Sequence, residues 1–217
     1  MIDLAEYSRH TQRYLRFWLP LGKLVCMPLF WLLGPVRTRG TYRIPKSGPV
    51  LIVSNHQADV DPVVIQAICP RPMHFMAKSE LFEGRLMGRL QRAFGSFPVR
   101  RGVADRAAIK HAVTLLKAGE VVGVFPEGQL TEDGEIQEIK GGIAIIIRLA
   151  PETPVICCGL NGTNRIMPYG KTTPRPAFHR VDVTLGEPRV FGPDSTPEEI
   201  LAWIAGQLRE LTRIDPK

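Results

Sequence analysis

Residues 50–61 read VLIVSNHQADVD, and this stretch indicates the kind of fold. Its first five residues are an apolar run with the length and composition of a buried β-strand. The Asp-Pro pair at positions 61 and 62 predicts the start of a helix, with Asp61 as the N-cap and Val63–Ile68 as the helix. His56 therefore comes directly after a strand, which is where open α/β sheets place their ligands.

Strand and helix patterns alternate along the rest of the chain, from residue 39 onward. Further strands are expected at Met73–Ala77, Ser96–Val99, Val121–Phe125, Val155–Leu160 and Val181–Leu185. Helices are expected at Glu80–Ala93, Asp105–Lys117 and Ile143–Leu149, and a last helix follows a capping box that begins at Thr196. The alternation predicts an α/β layered domain with a mostly parallel central sheet flanked by helices.

The segment before the predicted sheet has a different character. Residues 17–34 read FWLPLGKLVCMPLFWLLG, but Lys23 and Pro28 interrupt the run, which makes it too short to cross about 30 Å of hydrocarbon. We expect residues 1–38 to form an N-terminal helical hairpin that anchors the protein to one face of a membrane, and residues 39–217 to form the α/β domain. A hairpin that covers the domain's own sheet, or a dimer interface, is the alternative.

The net charge of the chain is concentrated near its N-terminus. The 217 residues carry a formal charge of +7, and residues 1–49 hold 8 basic and 2 acidic side chains. A basic segment beside an apolar run favours an anionic membrane surface as partner, and nucleic acid is disfavoured because no nucleic-acid motif appears elsewhere. The expected location is the cytoplasmic face of the cell membrane, with peripheral or monotopic attachment.

The four cysteines have neither zinc-site nor CxxC spacing. This spacing predicts reduced, buried thiols in a cytosolic setting rather than a disulfide framework. No metal site is expected, because one histidine flanked by Asp59 and Asp61 in a short loop rarely supplies the geometry that a metal needs.

Candidate chemistry lies after the predicted strands. Asp61 can fix the tautomer of His56 and make it a general base for a hydroxyl group, although Asp61 could instead serve only its helix. Glu127 follows the strand Val121–Phe125 and would project from the same edge of the sheet. Two consecutive arginines at 100 and 101 offer the donor fork that suits phosphate, with a solvated charge pair as the alternative.

Three blocks in this order resemble the glycerolipid acyltransferase family, and within it the bacterial 1-acyl-sn-glycerol-3-phosphate acyltransferases. They are Asn-His-x4-Asp at 55–61, the Gly-x-x-Pro-Val-x-Arg-like block at 95–101 and Phe-Pro-Glu-Gly at 125–128. The resemblance implies a catalytic base, His56, with Asp61 as its partner. It further implies an acceptor site at Arg101, Glu127, Gly128 and Lys140, and an acyl-chain region at Pro154 and Val155. The neighbouring Arg100 is an additional candidate for substrate binding.

The resemblance implies acyl transfer from acyl-CoA or acyl carrier protein to the free hydroxyl of 1-acyl-glycerol-3-phosphate, which gives phosphatidic acid. The thioester is a co-substrate, and no cofactor is expected. One departure is Leu130, which replaces an arginine that usually follows the third block. The alternatives are therefore another lysophospholipid or glycerol-3-phosphate as acceptor, or a non-catalytic membrane-bound lipid-binding protein. A covalent acyl-cysteine is disfavoured because no cysteine lies near His56 in the sequence.

Overall fold

A seven-stranded sheet forms the centre of the computed structural model, which describes Leu24, Pro28 and residues 34–100, 105–171, 173–176 and 179–213. The strands are β1 Val36–Arg39, β2 Val50–Ser54, β3 Met73–Lys78, β4 Ser96–Val99, β5 Val121–Val124, β6 Val155–Asn161 and β7 Val181–Leu185. Their order across the sheet is β1-β7-β6-β2-β5-β3-β4.

Five neighbouring strands of this sheet run in one direction, as the sequence predicts. β6, β2, β5, β3 and β4 are parallel to one another. β7 is antiparallel to β6, and β1 is parallel to β7, so the last two strands run the opposite way. β1 extends from Val36 to Arg39 and thus straddles the domain boundary expected between residues 38 and 39.

Helices cover both faces of the sheet. They are α1 Asp61–Ile68, α2 Arg85–Ala93, α3 Arg106–Lys117, α4 Gly142–Leu149, α5 Thr163–Ile166 and α6 Pro197–Thr212, with 3-10 turns at Thr41–Arg43 and Ser79–Phe82. Side chains of the central strand β2 alternate between the two cores, with Leu51 and Val53 in one and Val50 and Ile52 in the other. Because β2 is buried on both faces, its sequence is a continuous apolar run.

Two helix predictions need correction. The sequence predicts one helix over Glu80–Ala93, but the structure has a 3-10 turn and then α2, with Gly84 in an extended conformation between them. Asp61 is the first residue of α1 rather than its N-cap, and no side chain caps that helix. The predicted capping box is confirmed, since Thr196 accepts a 3.1 Å hydrogen bond from the N–H of Glu199.

The expected N-terminal hairpin falls almost entirely on residues outside the described part of the chain. Within the described residues, none of the helices combines the length and the apolar character needed to cross a membrane.

Candidate active site

The loops that carry the candidate chemistry leave the sheet at one edge. β2 and β5 are adjacent and parallel, with Val53 beside Val124. The segments that begin at Asn55 and at Phe125 therefore start side by side. Asn55 fastens the first segment to β6, because its side-chain amide donates to the carbonyl of Leu160 (3.0 Å) and accepts from the N–H of Leu160 (2.7 Å). Sequence reasoning assigned no role to Asn55, yet its side chain continues the hydrogen bonding of the sheet beyond the end of β2.

His56 and Asp61 form the hydrogen-bonded pair that the sequence predicts. Nδ1 of His56 lies 2.9 Å from Oδ2 of Asp61, and both side chains are buried. The same oxygen accepts from the backbone N–H groups of Gln57 (2.7 Å) and Ala58 (2.8 Å). Since a carboxylate oxygen only accepts hydrogen bonds, Nδ1 carries the ring proton and Nε2 keeps its lone pair. The arrangement therefore suits His56 to take a proton at Nε2.

An aromatic ring fixes the plane of the imidazole. Phe125 stacks on His56 with ring centroids 4.1 Å apart and an interplanar angle of 19°. Phe75 lies 6.0 Å beyond Phe125 in a nearly parallel orientation. The sequence predicts Phe125 at the end of a strand but does not predict that its ring contacts His56. That contact is seen only in the fold.

Glu127 holds the backbone of His56 in place. Its Oε1 accepts from the N–H of His56 (3.0 Å), and its Oε2 accepts from the N–H of Gln137 (2.8 Å). The carbonyl of His56 accepts in turn from the N–H of Thr131 (3.0 Å). Burial raises the pKa of the Glu127 carboxyl, while the N–H groups of Gln137 and His56 oppose that shift. Both carboxylate oxygens are thus engaged by backbone, and Glu127 acts on the position of His56.

Gly128 allows the turn that aims Glu127 inward. Its φ is +72°, and its N–H donates to the carbonyl of Phe125 at 3.1 Å. A side chain is strained in this left-handed region, whereas glycine is not. The next turn is tied down by Lys140, whose N–H donates to the carbonyl of Pro126 at 2.9 Å.

The predicted phosphate-binding cations differ in their surroundings. Arg100 follows β4 at the same edge of the sheet, and its mostly exposed guanidinium has Nε 3.5 Å from Oδ2 of Asp105. Nζ of Lys140 lies 2.6 Å from Oε2 of Glu138, and both side chains are exposed. Arg101 lies outside the described residues. The structure thus leaves Arg100 and Lys140 accessible to solvent, and their part in binding stays a prediction.

The residues assigned to the acyl chain lie elsewhere. Val155 opens β6 and pairs with Leu51, near the start of β2. His56 lies five residues further along, which corresponds to roughly 16 Å of strand. Val155 is fully buried in the core. The structure therefore does not bring Pro154 or Val155 next to His56, and a role for them in chain binding stays a prediction.

Cys69, Cys157 and Cys158 are buried thiols, as expected, and none of them forms a disulfide within the described residues. Burial raises the pKa of the Cys158 thiol to about 12, and it raises the pKa of Cys157 as well. A thiol must ionise to act as a nucleophile, so this environment does not favour an acyl-cysteine. In the described ranges, no three His, Cys, Asp or Glu side chains are grouped so that they could hold a metal ion.

The chain is similar to known acyltransferases over the part that carries this geometry. A family model described as Acyltransferase matches residues 35–161. Over 143 residues the chain is 32% identical to the 1-acyl-sn-glycerol-3-phosphate acyltransferase of Bacillus subtilis (strain 168), with 64% of this chain and 71% of that protein covered. Over 180 residues it is 31% identical to the protein of the same name from Streptococcus pneumoniae, with 79% of this chain and 62% of that protein covered.

A solved structure shares the fold. The crystal structure of the 1-acyl-sn-glycerophosphate acyltransferase PlsC from Thermotoga maritima superposes with a TM-score of 0.74 at 24% sequence identity, covering 100% of this chain and 85% of that one. The family match includes His56, Asp61 and Glu127 and spans more than half of the sequence. These findings show that the chain belongs to the acyltransferase family.

Proposed function

We propose that this acyltransferase moves a fatty acyl group from an acyl thioester to the free hydroxyl of 1-acyl-glycerol-3-phosphate, giving phosphatidic acid. The observation that carries the proposal is the buried contact between Nδ1 of His56 and Oδ2 of Asp61, which leaves Nε2 as a base. The names of the Bacillus and Streptococcus relatives supply the acceptor. The thioester, acyl-CoA or acyl carrier protein, is a co-substrate, and the reaction uses no resident cofactor.

His56 carries a proton from the acceptor hydroxyl to the leaving thiolate. As the acceptor hydroxyl attacks the thioester carbonyl, a C–O bond forms and the hydroxyl proton moves to Nε2 of His56. The tetrahedral oxyanion then collapses, the C–S bond breaks, and the leaving thiolate takes that proton from the imidazolium. Asp61 stabilises the imidazolium.

Several nearby N–H groups are already engaged and do not serve the oxyanion. Those of Gln57 and Ala58 bond to Asp61, that of His56 bonds to Glu127, and that of Thr131 bonds to the carbonyl of His56. An oxyanion needs donors that are not committed elsewhere. These four groups instead fix the shape of the loop around the imidazole.

Leu130 favours a second candidate acceptor. It occupies the place of an arginine in the family pattern and lies half-buried in the loop that follows Glu127. An apolar side chain supplies no charge for a phosphate, so phosphate recognition in this chain would rest on Arg100, Arg101 and Lys140. Another lysophospholipid, whose phosphate is esterified to a headgroup and carries less charge, is accordingly the second candidate. Glycerol-3-phosphate, which bears the same phosphate monoester as 1-acyl-glycerol-3-phosphate, is the remaining alternative.

We also propose that residues 1–38 attach the enzyme to the cytoplasmic face of the cell membrane. The support is the cluster of basic side chains in residues 1–49 beside an interrupted apolar run. Replacing Arg9, Arg13 and Arg16 with glutamine in the full chain should weaken binding to anionic vesicles. Unchanged binding would contradict this attachment.

A thiol-release assay tests the reaction. The full-length chain is given acyl-CoA or acyl carrier protein as donor, crossed with 1-acyl-glycerol-3-phosphate, other lysophospholipids and glycerol-3-phosphate. We expect thiol release with 1-acyl-glycerol-3-phosphate, and its loss in His56→Ala with the fold retained by circular dichroism. His179→Ala is the matched control, because His179 is exposed and lies outside the site.

Three results of the thiol-release assay would change or refute the proposed reaction. Thiol release only with another acceptor would replace 1-acyl-glycerol-3-phosphate by that acceptor. Full activity in His56→Ala would refute the general-base mechanism. No release with any pair of substrates would favour a lipid-binding protein.

A further inference from the structure

Helix α2 presents its apolar side to solvent. Leu86 is 82% exposed, and Met87 and Leu90 are each 47% exposed. Gly88 is the one buried residue of this helix, and a Cβ added there would lie 2.6 Å from the carbonyl oxygen of Phe82 in the turn before it. A surface helix of a soluble domain normally buries its apolar stripe and exposes its polar one. Here Gly88 faces the preceding turn, and the leucines and Met87 face solvent.

Basic side chains border this apolar side. Arg85 and Arg89 are exposed, and neither takes part in any salt bridge within the described residues. Arg92 is half-buried, with its guanidinium 5.6 Å from the ring centre of Phe82. Apolar side chains next to unpaired arginines on one helix are typical of a segment that lies in the headgroup region of a bilayer.

The position of α2 relates this surface to the active site. β3 is parallel to β5 and β5 is parallel to β2, so β3 ends at the edge of the sheet that carries His56. The chain enters α2 from that edge through the 3-10 turn Ser79–Phe82. A lipid surface in contact with α2 would therefore lie on the side of the molecule where the acceptor has to arrive.

We propose that this helix docks on an anionic lipid bilayer through a patch that we call the α2 surface. The α2 surface consists of Leu81, Arg85, Leu86, Met87, Arg89, Leu90 and Phe94. The occupant is a bilayer whose headgroups meet the arginines and whose acyl region receives the leucines and Met87. This contact rests on the membrane attachment in the proposed function and adds a second point of contact with the bilayer. The observations that support it concern only α2 and the residues next to it.

A second copy of the chain fits this surface less well. Nine residues of helix measure roughly 14 Å by 10 Å, whereas a stable dimer buries about 800 Å² on each partner. A symmetric pairing would also bring the arginines of two copies against each other. The charge pattern therefore favours a negatively charged partner of large extent.

The experiment places a fluorescent label on the surface of the full-length chain. Leu86→Cys is labelled in a Cys26→Ser background with an environment-sensitive dye, since Cys69, Cys157 and Cys158 are buried. Ile145→Cys is the matched control, because Ile145 is a 47% exposed apolar residue on α4. Vesicles of phosphatidylcholine, with or without phosphatidylglycerol, are added and quenching by iodide is measured. We expect the label at 86 to shift to the blue and become shielded by anionic vesicles, and the label at 145 to stay accessible.

A charge comparison accompanies the label. Arg85→Gln with Arg89→Gln should weaken binding to anionic vesicles roughly 30-fold at low salt. Arg106→Gln with Lys110→Gln, on exposed positions of α3 with the same spacing, should change it little. Equal weakening by both pairs would overturn the assignment of the arginines to the bilayer.

Iodide quenching of the label at position 86 can also contradict docking on a bilayer. Iodide quenching at 86 that is the same with and without vesicles would overturn the proposal. Shielding at 86 that needs no vesicles and grows with protein concentration would assign the surface to a second copy. Thiol release is measured on the same preparations. A protein that shields the label but releases no thiol would support docking of the α2 surface on a bilayer and contradict the proposed acyl transfer.

Discussion

The backbone N–H of His56 donates a 3.0 Å hydrogen bond to Oε1 of Glu127, a residue that follows a different strand. The contact joins the loop after β2 to the loop after β5, and the second oxygen of Glu127 extends the link to Gln137. Family resemblance assigned Glu127 to the acceptor site. Its contacts instead describe a positioning residue, which acts on the reaction through the place of the imidazole.

Glu127→Gln should separate these two roles. The amide keeps one acceptor oxygen, so its NH₂ group must face either the N–H of His56 or that of Gln137. We expect kcat to fall about 100-fold because the base is displaced, with KM nearly unchanged. The free energy of unfolding should fall by about 1–3 kcal/mol. Steady-state kinetics and chemical denaturation measure both, with Glu132→Gln in the same loop as the exposed control. A raised KM at constant kcat would show instead that Glu127 contributes to binding of the acceptor.

Asp61→Asn should weaken the base by removing the charge beside it. Oδ2 of Asp61 accepts from Gln57, Ala58 and Nδ1 of His56 together, so an amide oxygen that keeps the two backbone N–H groups also keeps the Nδ1 proton. The negative charge that stabilises the imidazolium is lost, and kcat should fall on the order of 10²-fold. The exposed Asp59→Asn is the control. A variant at position 61 with the wild-type rate would exclude a role for the carboxylate charge.

Leu130→Arg should improve recognition of a phosphate-bearing acceptor. The substitution restores the family's arginine in the loop after Glu127, and a guanidinium near the acceptor stabilises a phosphate through paired hydrogen bonds. We expect KM for 1-acyl-glycerol-3-phosphate to fall several-fold while kcat changes little. The neighbouring exposed position supplies the control Gln129→Arg. The same fall in KM for both variants would indicate general attraction of charge rather than a site at 130.

Acid should destabilise the fold through His74, a buried histidine that has no role in the proposed reaction. Burial, and next the charge of His111, lower the pKa of His74 from 6.5 to about 4. Above pH 6.5 the ring is neutral in both states and contributes no pH dependence. As the pH falls below 6.5 the unfolded chain binds the proton first, so stability is lost until the pH approaches 4, by roughly 2 kcal/mol at pH 5.

Denaturant titrations at pH 7 and pH 5 measure this loss. His74→Leu should show a shallower dependence on pH than the wild type, whatever its absolute stability. His179→Leu, at an exposed position, should keep the wild-type dependence. An unchanged difference between the two pH values in His74→Leu would show that another group binds the proton.

The parts of the fold that depend on local pattern were predictable from sequence. β7 was placed at Val181–Leu185 with the same bounds, because strict alternation of buried and exposed residues identifies a strand. His56 and Asp61 were paired from a spacing of five residues, which a tight loop can close. The direction of β7 and the pairing of β1 with it depend on contacts between distant residues, and nothing local to either strand encodes them.

The errors have local physical causes. The repeat of Leu86 and Leu90 resembles a buried stripe, but periodicity alone does not say which way a stripe faces, and in the fold both leucines are exposed while Gly88 is buried. Asp61 was read as an N-cap because Asp before Pro is typical of one. In the fold, His56, Gln57 and Ala58 occupy the hydrogen-bonding capacity of one carboxylate oxygen, and the carboxylate stays within the loop.

The pairing of β1 with β7 sets an order for synthesis of the protein. Val36 lies opposite Val181, so the strand made first at this end of the sheet has no partner until most of the chain has left the ribosome. At ordinary elongation rates that interval lasts roughly 10–30 s. β6 forms near the end of that interval, and the edge that β7 covers stays open until β7 follows. The apolar segment 17–34 is therefore made long before the sheet is complete, so the proposed attachment to a bilayer does not have to wait for the finished fold.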